Sequence, residues 1–158
     1  MIRVGIGYDS HRLVEGRPFI LGGQRIAFEK GLLGHSDGDA VAHAVTDAIL
    51  GASGAGDMGG LFPDSDPRWK DADSLVILRL AREHIARLGF HPLQADVTII
   101  CERPRLGVYK EAMAQAIAGE LGITPDAVGI KAKTNEGMGF VGRGEGIAVM
   151  AVATVEAR

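Results

Sequence analysis

Asp9 and His11 stand two positions apart where an apolar run, Ile2-Arg3-Val4-Gly5-Ile6-Gly7-Tyr8, ends. Residues i and i+2 of a strand point to the same face. A carboxylate and an imidazole aimed together make two metal ligands or a hydrogen-bonded pair; the plainer reading is a surface pair at a turn. A second group adds weight to the first reading. In "HSDGDAVAHAVTD", His35 comes just before a helical pattern and His43 lies inside it. Asp39, His43 and Asp47 are spaced four apart and form one polar line on an otherwise Ala/Val/Ile helix. A carboxylate beside a metal-bound imidazole fixes the ring tautomer, which is the role expected here of Asp39 and Asp47. Asp9, His11 and His43 together offer two nitrogens and one oxygen. Three protein ligands leave one position open on a tetrahedral zinc, the layout of a catalytic site. His84, in an Arg-rich helix, reads as solvated, and His91, before Pro92, as structural.

A third group is "KAKTNEGMGFVGRGEG" (131–146). Its glycines let backbone N–H groups face an anion. Thr134 offers a hydroxyl, Glu136 a carboxylate suited to magnesium on substrate phosphates, and Arg143 a phosphate clamp. Alone, the segment reads equally as an ordinary hairpin.

The elements that must position these groups follow from periodicity. A strand is expected over 2–9 and a hairpin over 17–28, joined by Gly22-Gly23. A Gly-rich loop follows over 30–39 and a helix over 40–52, capped by Asp37 or Asp39. A long aperiodic loop, 54–73, carries five aspartates; a loop that long in a compact domain points to function. Helices are expected over 74–89 and 107–122, strands over 95–102 and 147–157, and a capped turn then a strand over 124–134. Mixed strands and helices of this kind indicate an α+β fold.

The whole chain sets the bounds. Its 158 residues suit one domain, and 46% hydrophobic with 23% charged residues is a globular composition. The net charge of −3, without a basic run, argues against nucleic acid as a partner. One cysteine, Cys101, excludes an intrachain disulfide and a cysteine zinc cluster. No apolar run approaches the roughly 20 residues that span a bilayer, so no membrane role is expected and the cytoplasm is the default location.

Taken in order, "GYDSH", "KGLLGHSDGDAVAHAVTDAILGA", "GDMGGLFPDSDPRWKDADS", "DVTIICERPRL" and "KTNEGMGFVGRGEGIA" closely resemble the 2-C-methyl-D-erythritol 2,4-cyclodiphosphate synthase family of the non-mevalonate isoprenoid pathway. The resemblance covers essentially the whole chain. It implies a single domain over 1–158: a mixed four-stranded sheet with helices on one face and a small hairpin. It also implies a homotrimer whose sheets face the central axis and whose active sites lie between subunits.

The reaction so implied is a cyclisation. The 2-phosphate of 4-diphosphocytidyl-2-C-methyl-D-erythritol 2-phosphate attacks its own β-phosphorus, and CMP leaves. The family pattern places zinc on Asp9, His11 and His43, and a second ion, Mg2+ or Mn2+, on Glu136. His35 and Thr134 match transition-state stabilisers. Ser10 and Ser36 match substrate-site positions beside the zinc ligands and His35. Asp57, Met58 and Gly59, with Phe62, Pro63, Asp64, Ser65 and Asp66, match the segment that receives the erythritol phosphate. Cys101, Glu102, Arg103, Pro104, Arg105, Leu106 and Gly107 match the cytosine pocket, and Lys133 and Asn135 flank Thr134 in the substrate site. Phe140 and Arg143 match positions lining a trimer-axis cavity and the substrate site. Lys133 and Asn135 stand where the family commonly has Thr, Arg105 where Lys is frequent, and Tyr8 where Phe is.

Two rivals remain on the residues alone. A two-His-one-carboxylate iron oxygenase shares the ligand set, but three helices in a mixed chain argue against its usual barrel. A nucleotide-binding or metal-sensing module would need the metal and anion sites without turnover.

Overall fold

The computed structural model describes residues 1–158. In chain order the elements are β1 (Ile2–Val14), β2 (Phe19–Leu21), β3 (Gln24–Ile26), β4 (Gly31–Leu33), α1 (Ala40–Ser53), α2 (Met58–Leu61), α3 (Ser74–Arg87), β5 (Phe90–Ile100), α4 (Lys110–Leu121), β6 (Val128–Lys133), α5 (Gly139–Gly142) and β7 (Gly146–Ala157). The main sheet runs β4-β1-β7-β5-β6. Only β5 and β6 are parallel; the other neighbours are antiparallel. β1, β5 and β6 therefore point the same way, and their C-terminal ends share one end of the sheet.

The sheet has five strands, where four were expected. β1 continues to Val14, five residues past the expected end at 9. Its extension leaves an edge on which Gly31–Leu33 pairs, with Arg12 opposite Leu33 and Val14 opposite Gly31. Three residues in a Gly-rich stretch are too few for a period to show. Asp9 and His11 thus sit inside a strand, paired with Val149 and Ile147 of β7, rather than at its frayed end.

β2 and β3 form the expected hairpin as a separate small sheet. Gly22 and Gly23 both have positive φ, 55° and 73°, as a tight two-residue turn requires. The N–H groups of Gly22 and Gly23 donate to the Asp39 carboxylate, at 2.9 and 2.8 Å. Asp39 also accepts from Ala42 N at 3.0 Å and so caps α1. One buried carboxylate joins the hairpin tip to the start of the helix.

α1 is buried on nearly all sides: 12 of its 14 residues are buried, so it is a core helix rather than a surface one. It lies on β1 backbone to backbone. A Cβ at Gly7 would come within 1.8 Å of Ala44 O, and one at Gly5 within 2.1 Å of Ala48 O. α3 joins it through the buried stripe Ser74, Ile77, Leu78, Ala81 and Ile85. One core cluster of 34 residues draws on the sheet, the hairpin and α1, α3 and α4.

Three further boundaries differ from expectation. β5 starts at Phe90 rather than 95, passing Pro92 with a register shift before Gln94. The loops 54–73 and 137–146 hold the short helices α2 and α5. The 107–122 segment begins as a 3-10 turn, Gly107–Tyr109, before α4. No helix is long and apolar enough to cross a membrane.

Candidate active site

Asp9 and His11 project from β1 toward α1, and α1 sends His43 to meet them. His11 Nε2 lies 2.8 Å from Asp9 Oδ2, and His43 Nδ1 lies 3.0 Å from the same oxygen. The two ring nitrogens are 3.2 Å apart. Around a tetrahedral ion with bonds of about 2.0–2.1 Å, ligand atoms stand roughly 3.3 Å apart. Three atoms already at nearly that spacing form a site that needs little adjustment to hold a divalent metal. His11 Nδ1 lies 2.7 Å from Leu33 O. A carbonyl only accepts, so the Nδ1 hydrogen is fixed there and the Nε2 lone pair is free to face an ion, as a metal-binding imidazole requires. β4, absent from the sequence reading, thus supplies the carbonyl that orients His11.

His43 is oriented differently from expectation. Its Nε2 lies 2.9 Å from Ser36 Oγ and 2.7 Å from Ser74 Oγ. Asp39 is committed to the hairpin and the α1 cap, and Asp47 accepts from Met58 N at 2.7 Å. Neither carboxylate touches the ring. Asp47 instead pins the start of α2, so the helix carrying His43 also anchors the 57–66 loop.

A cavity of about 350 Å³ opens beside the triad, lined also by Gly34, His35, Ser36, Met58, Phe62, Asp64, Trp69 and Ile77. Arg17 holds the wall that carries His35 and Ser36. Its guanidinium donates to the carbonyls of Leu32 (3.1 Å), Gly34 (3.2 Å) and Ser36 (3.0 Å). His35 Nε2 is 3.3 Å from Asp66 O, which ties this wall to the far end of the 57–66 loop. Asp57 caps α2 through Gly60 N, and Asp66 caps the next turn and pairs with Arg68. Gly59 and Ser65 are exposed and Pro63 half-buried on the same loop, outside the cavity wall.

A second cavity, about 570 Å³, lies at the same end of the sheet. Cys101, Glu102, Pro104, Arg105, Leu106, Gly107, Lys133 and Thr134 line it, with Val108, Lys110 and Ala132. Burial pushes the Cys101 thiol up to about 12, so it is a wall and not a nucleophile. Arg103 turns away; it pairs with Glu29 and lies 5.4 Å over the Phe28 ring. Glu102 accepts from Asn135 N, and the Asn135 side chain donates to Met138 O at 2.8 Å, which shapes the turn after β6. Glu136 sits exposed on that turn at φ 53°. Ser10 and Phe140 line a shallow third hollow with His11, Arg12, Glu145 and Gly146, and Arg143 pairs with Glu145 at 3.2 Å.

The two main cavities share no residue. Ser10 is opposite Ala148, Ala148 opposite Ile100, and Ile100 opposite Lys133. Three strand spacings, roughly 14 Å, therefore separate the triad's strand from β6, which ends at Lys133 just before Thr134. Within one chain the sheet holds His35 and Thr134 apart.

A family model described as YgbB matches residues 2–156. The chain belongs to the YgbB family. It is 52% identical over 157 residues to the 2-C-methyl-D-erythritol 2,4-cyclodiphosphate synthase of Laribacter hongkongensis, covering 99% of this chain and 97% of that one. Among solved structures it matches a 2C-methyl-D-erythritol-2,4-cyclodiphosphate synthase in a CDP-bound form. The TM-score is 0.89 at 42% identity, over 98% of this chain and all of that one. It also matches the bifunctional IspDF of Campylobacter jejuni with a TM-score of 0.96 at 40% identity; all of this chain covers 43% of that longer one. The curated relatives are named as synthases, and this YgbB chain is an enzyme.

In this YgbB chain a proton would compete with an ion bound at the triad. Burial alone would lower the His11 pKa, but the hydrogen bond and charge of Asp9 outweigh it and raise it above 6.5. Burial would likewise raise Asp9, and the two imidazoles overcome this and hold it at about 2. A metal needs His11 neutral and Asp9 ionised. Acidification through the raised His11 pKa therefore weakens binding, by about tenfold per pH unit below it, while Asp9 stays ionised until near pH 2. Chelator competition with Zn2+ between pH 8 and pH 5 should show that slope; an affinity flat across this range would remove His11 from the ligand set.

Sequence reasoning missed Ser74, Asp37 and Arg17. Ser74 reads only as the start of a helix, and Arg17 only as the entry to a hairpin. Their partners lie 31 and 15–19 residues away in sequence, across loops that carry no period.

Proposed function

We propose that this chain converts 4-diphosphocytidyl-2-C-methyl-D-erythritol 2-phosphate to 2-C-methyl-D-erythritol 2,4-cyclodiphosphate, releasing CMP. The observation that carries the proposal is the Asp9–His11–His43 triangle beside a cavity walled by His35 and Ser36. The 2-phosphate oxygen is already anionic at neutral pH, so the reaction needs no general base. It forms a bond to the β-phosphorus while the bond from that phosphorus to the bridging oxygen breaks, and CMP leaves with the electron pair. The balance needs no water and no second substrate. The remaining work is positioning and charge stabilisation.

The residues divide that work. The N, N, O donor set and its spacing suit zinc, and Glu136 suits Mg2+ or Mn2+ on the phosphates. Such ions, when bound, supply Lewis acids that draw charge from the β-phosphate and shield the diphosphate. Met58, Phe62 and Asp64 bound the space for the erythritol phosphate. His35 and Thr134 donate to the transferring phosphate. The cavity between Cys101–Gly107 and Lys133–Thr134 takes the cytidine.

A substrate bound by both cavities is best served by two chains. The face of the main sheet opposite α1 exposes Ile2, Val4, Ile6, Tyr8, Met150 and Val152, each 41–67% accessible. A contiguous apolar sheet face of this kind marks a contact surface. We infer that this face is buried in a homotrimer, with sheets around the axis, which would bring the nucleotide cavity of one subunit beside the triad of the next.

The test is purified protein with the diphosphocytidyl substrate and Mg2+, following CMP by chromatography and phosphorus by 31P NMR. One CMP per cyclic diphosphate is expected. A protein that binds CDP yet releases no CMP would instead be a nucleotide-binding module. Glu136→Gln should raise the Mg2+ concentration for half-maximal rate about tenfold, the equivalent of about 1.4 kcal/mol, with zinc content unchanged. An unaltered Mg2+ curve would take Glu136 out of that role.

A further inference from the structure

Asp37 and Ser74 lie outside both cavities' linings, yet Ser74 touches the ring of His43 and Asp37 holds Ser74. Asp37 Oδ2 accepts from Ser74 N at 3.1 Å, and Oδ1 accepts from Asp39 N at 3.1 Å and from the Ser74 hydroxyl. A carboxylate has no hydrogen to give, and a hydroxyl has only one. The Ser74 hydrogen is thus committed to Asp37, so Ser74 Oγ faces His43 Nε2, at 2.7 Å, only as an acceptor. Nε2 must then carry the imidazole hydrogen. The Nδ1 lone pair is left pointing at Asp9 Oδ2 and His11 Nε2.

Ser36 alone does not impose this. Its Oγ lies 2.9 Å from His43 Nε2 and 3.2 Å from Ser74 Oγ, so its hydrogen has two directions open. With Ser74 in place, Ser36 donates to Ser74 Oγ and also accepts from Nε2. Without Ser74, it can donate to Nε2 and allow the other tautomer, in which Nδ1 bears a hydrogen and no lone pair for an ion. Ser74 is fully buried and Ser36 and His43 nearly so, so water does not replace the missing partner freely.

We propose that Asp37, acting through Ser74, is the positioning pair that sets the His43 tautomer and aims Nδ1 into the metal site. This rests on the reading of Asp9, His11 and His43 as metal ligands. It gives the role expected of Asp39 and Asp47 to residues on the loop before α1 and at the start of α3. The first turn of α3 and the 34–37 loop are thereby coupled to metal affinity.

Two readouts on the full-length chain test it. The first is the 15N side-chain spectrum of His43 in metal-free protein at pH 8, which distinguishes Nε2–H from Nδ1–H. The second is Zn2+ affinity by chelator competition. Wild type should show Nε2–H. Ser74→Ala should show mixed tautomers and an affinity lower by about 10–100-fold. Ser74→Thr keeps the hydroxyl and should retain both properties. Should Ser74→Ala fail to fold, judged by far-UV circular dichroism, Asp37→Ala removes the acceptor of the hydroxyl hydrogen while leaving Ser74 in place and should mix the tautomers. A folded Ser74→Ala or Asp37→Ala with pure Nε2–H and affinity within twofold of wild type overturns the proposal. So does Nδ1–H in the wild type. Wild type that shows Nε2–H but binds no zinc would leave the positioning role standing and overturn the metal reading instead.

Discussion

His43→Ala should leave a folded chain that neither retains zinc nor turns over. His43 is one of only three ligand side chains converging on the site, and its Nδ1 is 3.0 Å from Asp9 Oδ2. Two ligands on one strand do not hold a catalytic ion that normally has three. Loss of a Lewis acid worth several kcal/mol at the reacting phosphate lowers kcat by about 10³-fold or more, about 4 kcal/mol. Zinc per chain, measured by mass spectrometry after gel filtration, should fall from about one to near zero. Ser36 and Ser74 keep each other as partners at 3.2 Å, so the buried hydroxyls are not stranded. One zinc per chain in the variant would refute the ligand assignment.

Gly7→Ala should be the most damaging single methyl group in the chain's first strand. The added Cβ would lie 1.8 Å from Ala44 O and 2.7 Å from Ala44 C, both backbone atoms of α1. No rotamer relieves a backbone clash, so β1 and α1 must separate. Overpacking of this kind costs about 1–3 kcal/mol or more, and a backbone obstacle puts Gly7 at the upper end. For a chain of this size 3 kcal/mol lowers Tm by roughly 6–12 °C. The effect reaches the site because His43 precedes Ala44 and moves with it, while Asp9 and His11 stay on the strand. Thermal melting and zinc competition should therefore fall together. A variant within about 1 kcal/mol of wild type by denaturant unfolding, with unchanged zinc affinity, would contradict the close-packed interface.

What the sequence made legible was what repeats locally. Asp9 and His11 share a strand face because the strand period is two, and that holds even though β1 runs to Val14. His43 stood out because a histidine interrupts an Ala/Val/Ile helix. The helices α1, α3 and α4 and the Gly22-Gly23 hairpin came from period and turn chemistry in the same way. What stayed hidden depends on contacts between distant segments. β4 is three residues long and exists because β1 offers it an edge. Asp39 and Asp47 lie on His43's helix at the right spacing, yet both carboxylates are taken by backbone N–H groups of other segments. The groups that do hold the ring, Ser36 and Ser74, are brought there by loop geometry. The separation of His35 from Thr134 follows from strand order, which no local pattern encodes.

The most direct measurement is CMP release by metal-stripped protein during stepwise return of Zn2+, with the diphosphocytidyl substrate and Mg2+ in excess. The rate should start near zero, rise in proportion to added zinc and saturate at one equivalent per chain, with cyclic diphosphate formed in step with CMP. A rate untouched by stripping, or zinc-loaded protein that releases no CMP, would contradict the account of a metal-assisted cyclisation at Asp9, His11 and His43.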